Sequence, residues 1–266
     1  NDMWPFHFGN HDVGLIGNPN WPDLPLIDGN ETIELNPRQD SLTPRYTQRA
    51  LDFIDRAADG PFFLYFAYSH PHVPIAASER FRGTTGQGLY ADMVAEMDDA
   101  VGQVVERLRE LGIDDNTMVV FTSDNGPWTR FGNHGGSAGP LRGDKGTTFE
   151  GGMRMPCVVW WPGQIPAGET CDELATTMDL LPTAAALADA PLPTNKIDGH
   201  DIRPLLMGEE GAVSPTDVFY YYWPGELQAV RVGDWKLHLP HNHRTVEEAG
   251  HDGTPGKQGT GRIELS

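Results

Sequence analysis

An α/β fold, with a mostly parallel sheet flanked by helices and followed by the start of a small antiparallel carboxy-terminal domain, is predicted by the order of apolar patterns in this 266-residue chain. Tyr46, Ala50, Phe53, Ile54 and Ala57 recur at helical spacing and give a helix over 43–58, closed by Gly60-Pro61. The next segment, Phe62 to Tyr68, is continuously apolar, as a central parallel strand is. A second helix over 89–111 and a strand over 117–122 repeat the order, which implies right-handed crossovers.

Residues 1–45 are rich in Asn, Asp, Pro and Gly and read as a surface excursion with one short strand near 31–35. In the second helix Met93, Met97, Val101, Val104, Val105, Leu108 and Leu111 form the apolar stripe, and Asp92, Glu96, Asp98 and Asp99 are expected on a solvated face. Another strand follows from Cys157 to Trp161, where Cys157 is expected as a small buried hydrophobe. A helix begins near Pro182, and Asp179 just before it is read as a helix-entry cap or local ion-pair partner. Strands are expected over 218–222, 227–232 and 235–239, the last two as a hairpin across Gly233-Asp234. Residues 240–262 lack any aliphatic pattern and are expected as a mobile loop.

Charge narrows the function classes. The formal net charge of −19 argues against nucleic-acid or anionic-membrane binding, because a phosphate backbone demands clustered positive charge. The longest apolar run is too short to cross a bilayer, so no transmembrane segment is expected. Two cysteines, Cys157 and Cys171, are too few for a disulfide framework, and a bridge between them is not expected. Asn30-Glu31-Thr32 is the one N-glycosylation acceptor sequence.

Between the strands ending at Phe121-Thr122 and beginning at Cys157 lies a long glycine-rich stretch, FTSDNGPWTRFGNHGGSAGPLRGDKGTTFEGGMRMP. A loop of that length inside a compact domain is usually functional or disordered. Asp124 and Asn125 place two oxygen donors directly after a strand, a set that suits Ca²⁺, or less well Mg²⁺, better than zinc. The plain alternative is that Asp-Asn-Gly is a turn signal. From 127 to 154, Arg130, Arg142, Lys145 and Arg154 face only Asp144 and Glu150. A cationic loop on so acidic a chain is expected where an anion is received. His70-Pro71-His72 also follows a predicted strand, and ligands of parallel sheets bind beyond the strand carboxyl ends.

Phe121-Thr122-Ser123-Asp124-Asn125-Gly126, together with Gly143-Asp144-Lys145-Gly146-Thr147-Thr148-Phe149-Glu150-Gly151-Gly152-Met153-Arg154, resembles the formylglycine-dependent sulfatases of the arylsulfatase A and galactosamine-6-sulfatase type. The likeness runs from about Arg49 to His238. It implies an alkaline-phosphatase-like α/β fold, with 1–208 as the carboxy-terminal part of the large domain and 209–266 as the start of the small one. It implies hydrolysis of sulfate monoesters of aryl or carbohydrate substrates, Ca²⁺ held by Asp124 and Asn125, and an extracytoplasmic location. By the same resemblance, Lys145 contacts the sulfate. His72, which stands before Val73-Pro74, contacts sulfate and protonates the leaving oxygen. His70 is the rival to His72, since in an extended chain both point to one face. His134 and Arg142 are expected to line the pocket, and His238 is similar to a histidine near the substrate entrance.

The family's nucleophile, a formylglycine made from Cys or Ser in Cys/Ser-x-Pro-x-Arg, has no counterpart in these 266 residues and is expected upstream. So is the Asp-Asp pair that completes the calcium site. The stretch therefore reads as a fragment that shows no turnover alone. Competing readings are a phosphate or phosphonate monoester hydrolase of the same superfamily and a non-catalytic binder of sulfated glycans.

Overall fold

A computed structural model describes residues 23–264. The expectations for the first 22 residues lie outside this range. The chain divides into two compact units: one takes residues through Ile113, Asn125–Met155 and His243–Gly261, and the other takes Asp114–Asp124, Pro156–Asn242 and the residues from Arg262.

In the first unit β1 (Pro25–Asp28) and β2 (Glu31–Leu35) form an antiparallel hairpin, with the expected strand at 31–35. Helix α1 (Leu42–Ala57) buries Leu42, Ala50 and Ile54, the face that its spacing marked. Helix α2 (Leu89–Glu110) packs against α1 and contributes Met93 and Met97 to a core shared with Val73, Ile75, Ala77 and Phe131. Trp128 and Tyr68 pack on the edge of that core. Burying these side chains at roughly 2 kcal/mol each fixes the segment after His72 and the start of the glycine-rich loop on one support.

Two of the four acids on α2 do not face solvent as expected. Asp92 and Glu96 are buried because the loop before the helix folds over them. The Asp92 carboxylate accepts from the amides of Gly83 (2.8 Å) and Thr85 (3.1 Å) and from the Thr85 hydroxyl (2.6 Å), and Glu96 accepts from the amide of Ser78 (2.8 Å). Amides without helical or ladder partners need such acceptors, and a periodicity argument counts charges without seeing them.

Phe62 to Tyr68 forms no ladder among the described residues, contrary to the central parallel strand expected. Its side chains instead alternate between half-buried and exposed, with Phe63 78% and Tyr65 82% exposed. Seven apolar residues in a row suit burial on both faces, yet a central strand also needs a neighbour on each edge, which periodicity does not supply.

In the second unit β3 (Val119–Thr122) pairs antiparallel with β4 (Cys157–Trp160), Thr122 opposite Cys157. The Thr122 hydroxyl donates to the carbonyl of Pro156 at 3.1 Å, so the two ends of the glycine-rich loop leave from adjacent points. Cys157 is exposed rather than buried, because a two-stranded sheet leaves its end uncovered. Neither cysteine is bridged. Asp179 closes a capping box on the 3-10 turn (Thr177–Asp179) that leads into α4 (Leu180–Leu187), and makes no side-chain cap bond to α4 itself: its carboxylate accepts from the amide of Thr176 (2.7 Å) and the amide of His200 (2.8 Å). After the short α5 (Arg203–Leu206), strands β5 (Val218–Tyr222), β6 (Leu227–Val232) and β7 (Trp235–His238) form the antiparallel sheet that the sequence predicted, with Val232 opposite Trp235 across the tight turn. Every register that joins β1 to β7 is antiparallel.

Residues 240–262 are also not the mobile loop expected. β8 (His241–Glu248) and β9 (Lys257–Ile263) pair as a two-stranded sheet. Gly259 and Gly261 lie so close to Thr245, Glu247 and His243 that a Cβ would collide. Polar side chains of β8 thus lie over the glycines of β9, which leaves no hydrophobic alternation to read.

Candidate active site

The Lys145 loop is built on backbone contacts. The amide of Lys145 donates to the carbonyl of Pro127 at 2.8 Å, and the amide of Gly151 donates to that of Arg142 at 2.7 Å. A Cβ on Gly151 would overlap the Gly143 carbonyl, and one on Gly152 that of Thr147, so the glycine pair lets the loop close on itself. Asp144 is buried and accepts from the hydroxyl of Thr129 at 2.8 Å. Thr147 and Thr148 are buried too, and the Thr147 hydroxyl donates to the Asp144 carbonyl at 2.7 Å. The string Gly-Asp-Lys-Gly-Thr-Thr is thus a folded knot whose buried members hold Lys145 half-exposed at its surface.

Trp128 joins this loop to the histidine segment. Its ring centroid lies 5.6 Å from that of His72, and the ammonium of Lys145 stands 5.1 Å from it. On its core side the indole packs edge-on against buried Phe131, at 4.7 Å. An ammonium at such a distance is attracted by the negative face of the ring. One indole therefore has both a cation and an imidazole against it.

The two histidines before Val73 differ. His70 is buried, its Nδ1 3.1 Å from the hydroxyl of Thr43, and its Nε2 has no hydrogen-bond partner among the described residues. Burial, with a smaller contribution from nearby His72, lowers its pKa from 6.5 to about 4. It is neutral at neutral pH. His72 is exposed. Its Nδ1 is 2.7 Å from the carbonyl of Val73, an acceptor only, so Nδ1 carries a hydrogen there.

His134 is buried, with Nε2 3.9 Å from the carboxylate of Asp252. The Arg142 guanidinium lies over the ring of Phe149, 4.0 Å from its centroid. Asp124 is exposed and Asn125 half-buried. The unit boundary falls between them. His238 belongs to the second unit, on β7, where its ring stacks with that of His241 at 5.6 Å. His70, His72, Lys145, His134 and Arg142 all belong to the first unit, where Trp128 is a common neighbour of His72 and Lys145, and His238 belongs to the second.

Sequence reasoning missed Trp128, His243 and Arg244. Trp128 follows Asp-Asn-Gly-Pro and carried the signal of an aromatic in a polar loop. His243 and Arg244 lie 99 residues or so from the loop they touch, in a stretch without pattern: the Arg244 guanidinium donates to the carbonyl of Lys145 at 2.5 Å, and the His243 ring meets that of Phe149 edge-on at 4.9 Å.

A half-exposed ammonium on the glycine-knotted cationic loop and an exposed imidazole from the segment before Val73 thus lie against one indole, and a cation so held is a group that can receive an anion. The chain belongs to the sulfatase family, whose model matches residues 8–190. It is 45% identical over 211 residues to the N-acetylgalactosamine-6-sulfatase of Canis lupus familiaris, covering 78% of this chain and 40% of that protein. It is 40% identical over 254 residues to arylsulfatase A of Homo sapiens, covering 91% of this chain and 48% of that protein. The crystal structure of PsFucS1 sulfatase from Pseudoalteromonas sp. superposes with a TM-score of 0.76 at 29% identity, over 85% of this chain and 45% of that one. The chain spans less than half the length of these relatives. Mixed α/β architecture is common to it and to that neighbour.

Proposed function

We propose that the protein hydrolyses sulfate monoesters, and that residues 72 and 145 act on the ester from the same side. The observation that carries the reading is the shared indole: the His72 ring and the Lys145 ammonium both lie against Trp128, 5.6 and 5.1 Å from its ring centroid.

A sulfate ester already carries negative charge, and breaking its S–O bond moves more onto the leaving oxygen. The Lys145 ammonium, a compact point charge, sits on the non-bridging oxygens. The His72 imidazolium, with Nδ1 engaged by the Val73 carbonyl, gives its Nε2 proton to the leaving oxygen. His70, held neutral by burial, supports the segment instead of exchanging protons. His134 and Arg142 line the approach, and His238 is kept as a substrate-entrance residue on the family resemblance alone.

Asp124 and Asn125 fit a hard cation in kind, being adjacent oxygen donors, and they supply two of the six to eight ligands that Ca²⁺ takes. Among the described residues no group of three or more His, Cys, Asp or Glu completes such a site. Bound there, Ca²⁺ would neutralise sulfate charge. A formylglycine, for which these residues contain no Cys/Ser-x-Pro-x-Arg, would supply the nucleophile.

The substrate class is a sulfated sugar or aryl sulfate, as the names of the relatives suggest, and an extracytoplasmic location belongs to the same proposal. No helix among the described residues is long and apolar enough to cross a membrane. The domain reading proposed is that residues 1–208 belong to the large catalytic domain and 209–266 to the small one. Parallel assays of the full-length gene product on an aryl sulfate and the matching aryl phosphate test the function. Preference for the sulfate ester supports it, preference for the phosphate ester moves the protein to a phosphomonoesterase reading, and binding without turnover makes it a glycan binder.

A further inference from the structure

The hairpin of β8 and β9 reaches the loops of the candidate site at three separate places. At its tip the amides of Gly250 and Gly256 donate to the carbonyl of Arg130, at 2.9 and 2.8 Å, and the Arg130 guanidinium returns a bond to the Gly256 carbonyl at 2.8 Å. Beside them Asn133 and Asp252 exchange two hydrogen bonds, of 2.8 and 2.9 Å. On its body the His243 ring packs on Phe149, and the Arg244 guanidinium donates to the carbonyl of Lys145 at 2.5 Å. The residue after Lys145 is fitted to this last contact. Gly146 has φ +81°, and a Cβ there would overlap the Arg244 guanidinium. The left-handed backbone turns the Lys145 carbonyl toward the hairpin, and the missing Cβ leaves room for the arginine.

We propose that Arg244 is a positioning residue for Lys145: its bond to the main chain of residue 145 holds the lysine stem so that the ammonium stays at Trp128, where the substrate anion is received. The proposal rests on the reading of Lys145 as an anion-binding group. A charge-assisted bond to a carbonyl is among the stronger fixtures available to a loop. It acts here on the residue that carries the ligand-facing charge, while the tip contacts hold the neighbouring turn.

A lysine that binds ground state and transition state alike shows itself in KM more than in kcat. In the full-length gene product, Arg244→Ala is expected to raise KM for an aryl sulfate about tenfold and to change kcat by no more than about threefold. Arg244→Lys, which can still donate to the carbonyl, recovers at least half of the loss on a logarithmic scale. The ratio of KM between Arg244→Ala and wild type persists at about 1 M ionic strength, where charges are screened within about 3 Å. An unchanged KM overturns the proposal, as does a fall in kcat at constant KM, which is what general loss of folded protein gives. Disappearance of the ratio in high salt also overturns it, because the arginine would then act as a distant charge.

A second measurement does not depend on turnover. Hydrogen exchange of the amides of 145–148 quickens in Arg244→Ala if the contact holds the loop, and stays at the wild-type rate if it does not. A wild-type protein that releases sulfate from neither an aryl nor a hexosamine sulfate refutes the sulfatase reading, and the exchange result still decides for or against Arg244 as the loop's fixture.

Discussion

The ammonium of Lys145 stands 5.1 Å from the centroid of the Trp128 indole, and that indole is anchored edge-on to the buried ring of Phe131. The cation of the loop is thereby linked to the core of its unit through an aromatic side chain. Trp128→Ala is expected to lower kcat/KM for an aryl sulfate at least about tenfold, the equivalent of roughly 1.4 kcal/mol for one partly desolvated cation–π contact. Trp128→Phe retains a ring face and loses less. Steady-state kinetics of both variants check the order.

Much of this arrangement is legible in the residues before any coordinates. The helices at 43–58 and 89–111 and the strands at 31–35, 119–122, 157–160 and 218–238 fall within a residue or two of the expected bounds, because each is long or strongly periodic or is closed by Gly or Pro. Lys145 and His72 are nominated by the strings around them, and both lie against Trp128. What was hidden depends on partners distant in sequence. Asp92 and Glu96 look like solvent-facing acids until Gly83, Thr85 and Ser78 fold onto them. The hairpin at 241–263 has no apolar alternation because polar side chains of one strand lie over glycines of the other. Arg244 finds the Lys145 carbonyl 99 positions away, and nothing local signals it. Phe62 to Tyr68 erred the other way: composition promised a buried strand where the described residues offer it no ladder.

Asp92 tests whether the loop over α2 is held by its carboxylate. Asp92→Ala leaves the amides of Gly83 and Thr85 and the Thr85 hydroxyl without their acceptor. The expected loss is roughly 3 kcal/mol of stability, measured by urea unfolding. Asp92→Asn keeps a carbonyl acceptor and loses about half as much.

His70 gives a pH dependence with a definite sign. Burial, and to a lesser degree His72, holds its folded pKa at about 4 against 6.5 when exposed. Between those values the unfolded chain binds a proton that the folded chain does not, so stability rises with pH across this window and is lost as pH falls through it. At the lower end the contribution amounts to roughly 3 kcal/mol. His70→Gln is expected to flatten the fall in Tm between pH 6.5 and 4, as followed by calorimetry. A variant with the same acid slope as wild type shows that other groups set it.

Asp124 tests the cation. Ca²⁺ at about 100 times its dissociation constant is expected to stabilise the full-length protein by about 2.7 kcal/mol. Asp124→Ala removes that gain and leaves the stability without Ca²⁺ within about 0.5 kcal/mol of wild type, because the side chain is exposed. Thermal shift with and without a chelator reads both values. An equal gain in the variant assigns the cation to other ligands.

The most direct measurement is release of inorganic sulfate from an aryl sulfate by the full-length gene product, compared with its Lys145→Ala and His72→Ala variants. Turnover by the parent protein, with kcat/KM at least about 100-fold lower in each variant, is the expected result. Wild-type turnover that survives either substitution within about threefold would contradict the placement of a sulfate ester between these two side chains.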